Sequence, residues 1–368
     1  MNEYIHELPD WPEFHWNSER LTEHLALVSR QQGRLIGHME ALGFQLRQEA
    51  ILQTLTADVV KTSEIEGEKL NAEQVRSSIA RRLGMDIAGL ELADRNVEGI
   101  VEMMLDATRN YEQPLTDERL FDWHAALFPT GRSGMAKIRV GAWRDDHAGP
   151  MQVVSGPLGR GKVHYEAPVA SRLDKEMSTF LDFFNRKDGM DPLLKAALAH
   201  LWFVTIHPFD DGNGRVARAI ADMQLARSEE SSQRFYSMSS QIQDERKTYY
   251  DVLEQTQHGT MDITVWMEWF LSCLGRAIAR AQDTLVGVLA KAKFWEALCS
   301  TPLNERQRSI LNHLLDGFEG NLTTVKWAKL AKCSHDTALR DIQGLLTRGI
   351  LAQNPSGGRS TSYRLADT

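Results

Sequence analysis

The chain has 368 residues, 42% apolar and 25% charged, with 26 Gly and 11 Pro, which excludes disordered, collagen-like and fibrous classes and predicts two or three domains whose core needs no covalent staples. Three widely spaced cysteines, Cys273, Cys299 and Cys333, without a CxxC pair argue against a zinc site or a secreted disulfide scaffold. The net charge of −8 argues against wholesale nucleic-acid binding. The charge is uneven, however. From Thr301 onward nine basic residues face six acidic ones, a net of +3, which leaves −11 for the rest and marks the C-terminal part as a separate electrostatic unit. The first residues, MNEYIHELPDWPEFHW, carry neither a basic nor an apolar leader, and no run approaches the ~18 apolar residues of a membrane span. A soluble, cytoplasmic chain without a membrane partner is expected.

In chain order, residues 18 to 110 show apolar positions at three and four spacing, in LTEHLALVSRQQGRLIGHMEALGF and QEAILQTLTADVVKTSEIEGEKL, and predict amphipathic helices. A second helical series begins near Asp94 and includes TDERLFDWHAALF, opened by a Thr116 cap and closed before Pro129. Residues 141 to 170 are rich in Gly and Pro, with short β-type runs at Met151 to Val154 and Lys162 to Tyr165, and predict a loop or small hairpin. Long helices follow to about residue 298, with Trp266, Trp269 and Phe270 at core spacing. Residues 303 to 366 predict two helices, a third helix capped by Ser334, then strand, Gly-rich tip and strand, the order of a winged helix-turn-helix. Such a unit supports either DNA contact through Lys332, Arg340, Arg348 and Arg359 or protein contact, since Asp336 and Asp341 share the third helix.

The chemistry is concentrated in His207-Pro208-Phe209-Asp210-Asp211-Gly212-Asn213-Gly214-Arg215-Val216-Ala217-Arg218. Pro208 stops an apolar helix, and Gly212 and Gly214 permit a tight turn whose N–H groups can approach an anion. The helix that starts near Asn213 aims its positive end at the same place. Arg215 and Arg218, three apart, can grip further phosphate oxygens. Asp211 is a hard oxygen ligand suited to Mg²⁺ bridged to phosphate, and His207 is placed as a base for a hydroxyl attacking phosphorus. Two competing readings are weaker. His200 and His207 are seven apart, but no carboxylate or cysteine completes a metal set; GPLGRGK at 156 to 162 mimics a P-loop, but Val163 replaces the required Ser/Thr.

The run resembles the signature of the Fic (filamentation induced by cAMP) family, H-x-F-x-D/E-G-N-G-R-x-x-R, at every specified position. The resemblance implies a mainly all-α Fic-type helical core with a β-hairpin flap, and a protein adenylyltransferase that moves AMP from ATP onto a Ser, Thr or Tyr hydroxyl. It implies His207 as general base, Phe209 as core anchor and Asp211 as Mg²⁺ ligand. Gly212, Asn213 and Gly214 would form the α/β-phosphate hole, with Val216 and Ala217 in the same stretch and Arg215 and Arg218 on the outer phosphates. Upstream, Thr62-Ser63-Glu64-Ile65-Glu66-Gly67 is similar to the family's inhibitory pattern S/T-x-x-x-E-G/N. Thr62 and Glu66 share a helix face, and Gly67 is expected to terminate the helix. The implication is autoinhibition, with Glu66 paired to Arg218. WPEFHW, QQGRLIGHMEALGF and VRSSIARRLG are similar to the N-terminal region of bacterial Fic proteins that end in a winged helix. Residues 150 to 168 then read as the flap on which an unknown target protein lies as an added strand. His164, Tyr165, Tyr249, Tyr250 and Gln257 stand where relatives touch nucleotide, Gln257 replacing an Asn.

The expected organisation is an N-terminal helical region (1–105) with the inhibitory segment, a catalytic core (106–290) and a winged helix (300–368). Besides AMP transfer, two other functions fit: removal of AMP from a modified protein with Glu66 orienting water, and a DNA-binding regulator whose Fic body senses nucleotide. Self-modification and a homodimer are further expectations.

Overall fold

The computed structural model describes residues 4–85, 92–147, 149–156, 161–315, 318, 320–355 and 361–366, and the side chains of these except at 45, 283, 284, 287, 288 and 292. The fold is almost all helical. It divides into two compact units, Met1–Gln282 and Asp283–Thr368. The expected cut at 105/106 falls inside a continuous helix, so the N-terminal region and the core are one unit; the second unit begins at 283, earlier than the expected 300.

In the first unit, α1 (Ser18–Glu40) is opened by Asn17, whose Oδ1 accepts from the N–H groups of Glu19 and Arg20 at 3.0 and 3.2 Å. Then come α2 (Phe44–Ile65), α3 (Ala72–Arg82), α4 (Arg95–Arg109) and α5 (Asp117–Leu127), the last capped by Thr116 as its sequence predicts. Two antiparallel hairpins interrupt the helices. One joins β1 (Arg132–Ser133) to β2 (Ala136–Lys137), which are too short to leave a period in the sequence. The other joins β3 (Gln152–Ser155) to β4 (Lys162–Glu166) in the expected flap, pairing Val153 with Tyr165 and Ser155 with Lys162 across an irregularity at Val153/Val154. Residues 157–160, most of the P-loop-like GPLGRGK, lie outside the described residues.

The remaining helices are α6 (Leu173–Asn185), α7 (Pro192–Ile206), α8 (Asn213–Glu229), α9 (Met238–Asp244), α10 (Arg246–Gln257) and α11 (Thr264–Ala297). Every residue of α7 from Leu193 to Ile206 is buried, and α8 is buried from Arg215 to Ala226. Helices apolar or enclosed all round belong at the centre of a domain, and this pair packs together as the axis of the unit, with α4 and α5 against α8 and α6 against α7. The approach of α4 to α5 is close: a Cβ on Gly99 would stand 1.7 Å from the Ala126 carbonyl oxygen. Trp266 and Phe270 are core residues as expected, Trp266 donating to the Ala197 carbonyl at 2.7 Å. Among the described residues no helix is long and apolar enough to cross a membrane.

The second unit contains α12 (Glu305–Leu315), β5 (Leu322–Thr323), α13 (Thr324–Leu330), α14 (His335–Thr347), β6 (Leu351–Gln353) and β7 (Ser362–Leu365), with strands in the order β5-β7-β6. Ile310, Leu311, Trp327, Ile342, Leu345 and Leu351 form its core. Ser334 caps α14 by accepting from Thr337 N–H at 3.2 Å. Asp341 does not face outward from α14: it is 6% exposed and accepts from Arg306 Nε and Asn304 Nδ2, both at 2.9 Å. Lys332 and Arg340 are exposed, Arg348 donates to the Pro302 carbonyl, and Arg359 lies outside the described residues.

Gly99→Ala should force α4 from α5 and destabilise the chain by about 1–3 kcal/mol; an unchanged denaturation midpoint would show that this close approach is not required. A pH dependence follows from two enclosed imidazoles. Burial holds His200 at about 3 and His124 at about 4, against an ordinary 6.5. Between pH 6.5 and 4 the unfolded chain binds protons that the fold refuses, so stability is full above pH 6.5 and falls as the pH drops. At pH 5 each histidine should cost about 2 kcal/mol. Urea titrations at pH 7 and 5 measure this, and His200→Phe should remove its share of the slope.

Candidate active site

The site is built on the turn from α7 to α8. His207 ends α7 with its N–H donating to the Phe203 carbonyl at 3.0 Å, and then adopts a left-handed conformation, φ 52 and ψ 57. A non-glycine residue there is held by its surroundings. Pro208 prevents the helix from continuing. Arg144, 2% exposed, donates from Nε to the His207 carbonyl at 2.8 Å and from its backbone N–H to the Pro208 carbonyl at 2.9 Å. It also reaches the Pro168 carbonyl from Nη2, so one guanidinium ties both roots of the β3–β4 hairpin to the turn. The His207 ring is oriented too. Its Nδ1–H donates to the Val204 carbonyl at 3.1 Å, which leaves the Nε2 lone pair available. Burial pulls its pKa below the ordinary value, aided by Arg144 and opposed by the Val204 bond, Glu66 and Asp211, so the ring is neutral.

Between His207 and α8 the turn is tightly determined. Phe209 is fully buried and stacks on His124, ring centroids 4.1 Å apart. Asn213 closes the turn on itself: its Oδ1 accepts from Phe209 N–H at 2.9 Å and its Nδ2 donates to the Phe209 carbonyl at 2.8 Å. Asp211 Oδ1 accepts from Gly212 N–H at 2.6 Å and Oδ2 accepts from the Ser133 hydroxyl on β1. The Asp211 carbonyl lies 3.1 Å from His124 Nε2, and since Gly141 N–H donates to His124 Nδ1 at 3.2 Å, Nε2 carries the proton and donates. Gly212 sits at φ 83, where a Cβ would come 2.9 Å from the Phe128 ring. A helix N-terminus with glycine on both sides of Asn213 can seat an anion.

Both motif arginines point from α8 into this region and both meet the end of α2. Arg218, 2% exposed, donates from Nη2 to Glu66 Oε1 at 2.6 Å and to the Thr62 carbonyl at 2.9 Å, and from Nε to Thr62 Oγ1 at 2.7 Å. Burial works most strongly against the Arg218 charge, but the Glu66 carboxylate together with Tyr249 and Tyr250 outweighs it and the net pKa shift is upward. Gly67, at φ 85, turns the chain after Glu66. A Cβ on Gly214 would stand 2.1 Å from Glu66 Oε1, so this glycine is what lets the carboxylate rest on the first turn of α8. Arg215 Nη1 donates to Glu68 Oε2 at 2.6 Å, and its guanidinium lies over the Phe128 ring, 5.1 Å from the centroid. Arg215 Nε and Arg218 Nη1 are buried donors without a hydrogen-bond partner among the described residues. The end of α2 is itself pinned, since Asp58 accepts from Ser237 Oγ at 2.5 Å and Arg246 Nε donates to the Ile65 carbonyl at 2.7 Å.

His207, Asp211, Gly212, Asn213, Gly214, Arg215, Arg218, Thr62, Glu66 and Gly67 are therefore brought together. Tyr250 joins them at the rim, its hydroxyl facing Ile65 O and Glu66 Oε2 at 3.4 and 3.5 Å. Others are placed differently. Tyr165 is 1% exposed beneath the hairpin, donating to the Thr205 carbonyl at 2.7 Å, because the register turns it inward onto Tyr4 and Ala167. Gln257 is buried on the Thr205 hydroxyl, and Tyr249 is buried with its hydroxyl 2.9 Å from His200 Nε2. Val216 and Ala217 are fully buried and serve as the spacer between the arginines. His164 lies on the hairpin, donating from Nδ1 to Glu254 Oε2 of α10 at 2.7 Å beside Lys162, which reaches Oε1 at 2.6 Å. Arg144, Ser133, His124 and Glu68 are absent from the sequence-level site. Only Glu68 had a local signal, a third acidic residue just past the Gly67 turn.

Residues 114–225 match the Fic/DOC family and residues 4–85 match a domain of unknown function, DUF4172. The protein adenylyltransferase Fic of Nematostella vectensis is 37% identical over 113 residues, 30% of this chain and 25% of that protein. That of Aedes aegypti is 26% identical over 221 residues, 58% of this chain and 39% of that protein, so the chain spans well under half the length of these relatives. A Fic family protein from Desulfovibrio desulfuricans G20 shares the fold with a TM-score of 0.52 at 20% identity, covering 96% of this chain and 98% of that one. A Fic domain containing signaling protein from Bacteroides thetaiotaomicron gives 0.52 at 19% identity over 69% of this chain and 95% of that one. With its signature turn intact between two buried helices and its helical fold shared, this chain carries at residues 114–225 a segment that matches the Fic/DOC family.

Proposed function

We propose that this chain is a protein adenylyltransferase that moves AMP from ATP to a hydroxyl of a target protein and is held back by its own residues Thr62 to Gly67. The observation that carries the reading is the neutral His207 ring, its Nε2 free, beside a glycine-flanked helix N-terminus whose two arginines already hold carboxylates. The adenylyltransferase names of the relatives support it.

In this reading the first N–H groups of α8 take the α- and β-phosphates, and Arg215 and Arg218 exchange their carboxylates for the outer phosphate oxygens. The β3–β4 hairpin holds a target segment in extended form with a hydroxyl near His207. His207 Nε2 takes that proton as the oxygen bonds to the α-phosphorus, and the bond from the α-phosphorus to the bridging oxygen of pyrophosphate breaks. Asp211 would hold Mg²⁺. The residues fit: a hard carboxylate is pre-oriented by Gly212 and Ser133, and no group of three His, Cys, Asp or Glu ligands exists among the described residues, so phosphates and water would supply the other ligands. When bound, the ion neutralises charge on the leaving pyrophosphate. Residues 300–368 we read as a winged helix-turn-helix, with Lys332 and Arg340 on exposed positions and Asp341 turned inward onto Arg306.

Transfer from ATP labelled at its α-phosphate tests the reading. Glu66→Gly should raise self-labelling well above wild type, and adding Arg218→Ala should cancel the gain. Equal labelling of wild type and Glu66→Gly would rule out an inhibitory role for Glu66. On the Glu66→Gly background, His207→Ala should lower transfer by about 10²–10⁴-fold while ATP affinity is kept, because the imidazole acts on the hydroxyl. Near wild-type turnover would remove His207 from the chemistry.

A further inference from the structure

The pairing of Glu66 with Arg218 leaves the other motif arginine to be accounted for. Arg215 has a side chain only 8% exposed, and its carboxylate partner is Glu68 at 2.6 Å. We infer that Glu68 is a second inhibitory carboxylate, which occupies Arg215 as Glu66 occupies Arg218, so that the segment blocks both outer-phosphate positions at once. The inference rests on the nucleotide-site reading above.

The geometry follows from how α2 ends. Glu66 N–H and Glu68 N–H both donate to the Ser63 carbonyl, at 3.1 and 3.0 Å, and Gly67 N–H donates to the Glu64 carbonyl at 3.0 Å. The bond from Glu68 back to Ser63 spans five residues and closes a left-handed helix terminus on Gly67. In a regular helix, residues two apart point to different sides. Across this terminus they do not, and two carboxylates separated by one glycine reach two arginines separated by one turn of α8. The spacings match: 66 and 68 on a tight turn against 218 and 215 on a helix.

The energetics favour retention of both contacts until another anion arrives. A desolvated guanidinium without a counter-charge is costly, and Arg215, enclosed on one side by Phe128, has Glu68 as its counter-charge. An incoming phosphate must displace Glu68 as well as Glu66. Glu68 is 38% exposed at its side chain against 29% for Glu66, and the arginine it meets is less enclosed than Arg218, so its contact is the more screened and the weaker of the two. Loss of Glu66 alone then leaves a partly blocked site. Both carboxylates hang from one turn, so a shift of residues 66–68 frees or blocks both arginines together.

The test is Mg²⁺-ATP binding by isothermal titration calorimetry, with the full chain carrying His207→Ala so that no turnover intervenes. Glu66→Gly with Glu68→Gln should bind ATP about fivefold more tightly than Glu66→Gly alone, the share expected of a partly exposed ion pair. Adding Arg215→Ala should abolish the difference between these two chains. Glu68→Gln preserves shape at a half-exposed position, and a matching denaturation midpoint verifies folding. Equal affinities with measurable binding would overturn the role of Glu68 and leave the proposed function standing. A difference that survives Arg215→Ala would also overturn it, since Glu68 would then act through bulk charge. Absence of ATP binding in every variant would overturn both the inference and the nucleotide site.

Discussion

The buried guanidinium of Arg218 is the constraint around which the first unit is organised. It stands in one of the two central, enclosed helices of the unit, 2% exposed, where a cation costs several kcal/mol unless it is paired. α2 supplies that pairing through Thr62 and Glu66. Asp58 and the Ile65 carbonyl, held from α9 and α10, keep the end of α2 in place. Under the proposed function, a phosphate entering the site would replace one anion with another. The free-energy difference between blocked and loaded states would then be a difference between two charge-assisted contacts to the same donors, which small changes at the end of α2 should suffice to tip.

The α7–α8 turn solves a related problem with backbone geometry. His207 must leave the helix and still keep its ring fixed. The left-handed conformation achieves the first, and the Nδ1 bond to Val204 the second. Asn213 then locks the following turn by two bonds to Phe209, so the positions of Asp211 and Gly212 do not depend on a bound ligand. Pre-organisation of this kind places donors before charge develops, which is where electrostatic stabilisation is most effective.

The central site was legible because its chemistry lies within twelve consecutive residues, each with a separate physical reason for its type. The contact of Arg218 with Glu66 spans 152 residues and could be read only through resemblance. Helix ends marked by Thr116 and Ser334 were also legible, since a cap is a local bond. What escaped depends on non-local geometry. Whether Tyr165 faces in or out is decided by the register of β3 against β4 and by a Thr205 carbonyl forty residues away. Gln257 goes to the same threonine's hydroxyl. No pattern in the sequence separates residues 1–105 from the core, because α4 runs through the division and packs on α5 and α8.

Arg144 has a consequence for how such a chain can diversify. Its guanidinium joins the Pro168 carbonyl to the His207 carbonyl, and its own backbone holds Pro208, so the two roots of the β3–β4 hairpin are fastened to the turn independently of what lies between them. The strands β3 and β4 between those roots can then vary in sequence while the imidazole stays where it is. Under the proposed function, choice of target and bond-making chemistry would be separated mechanically by a single buried side chain.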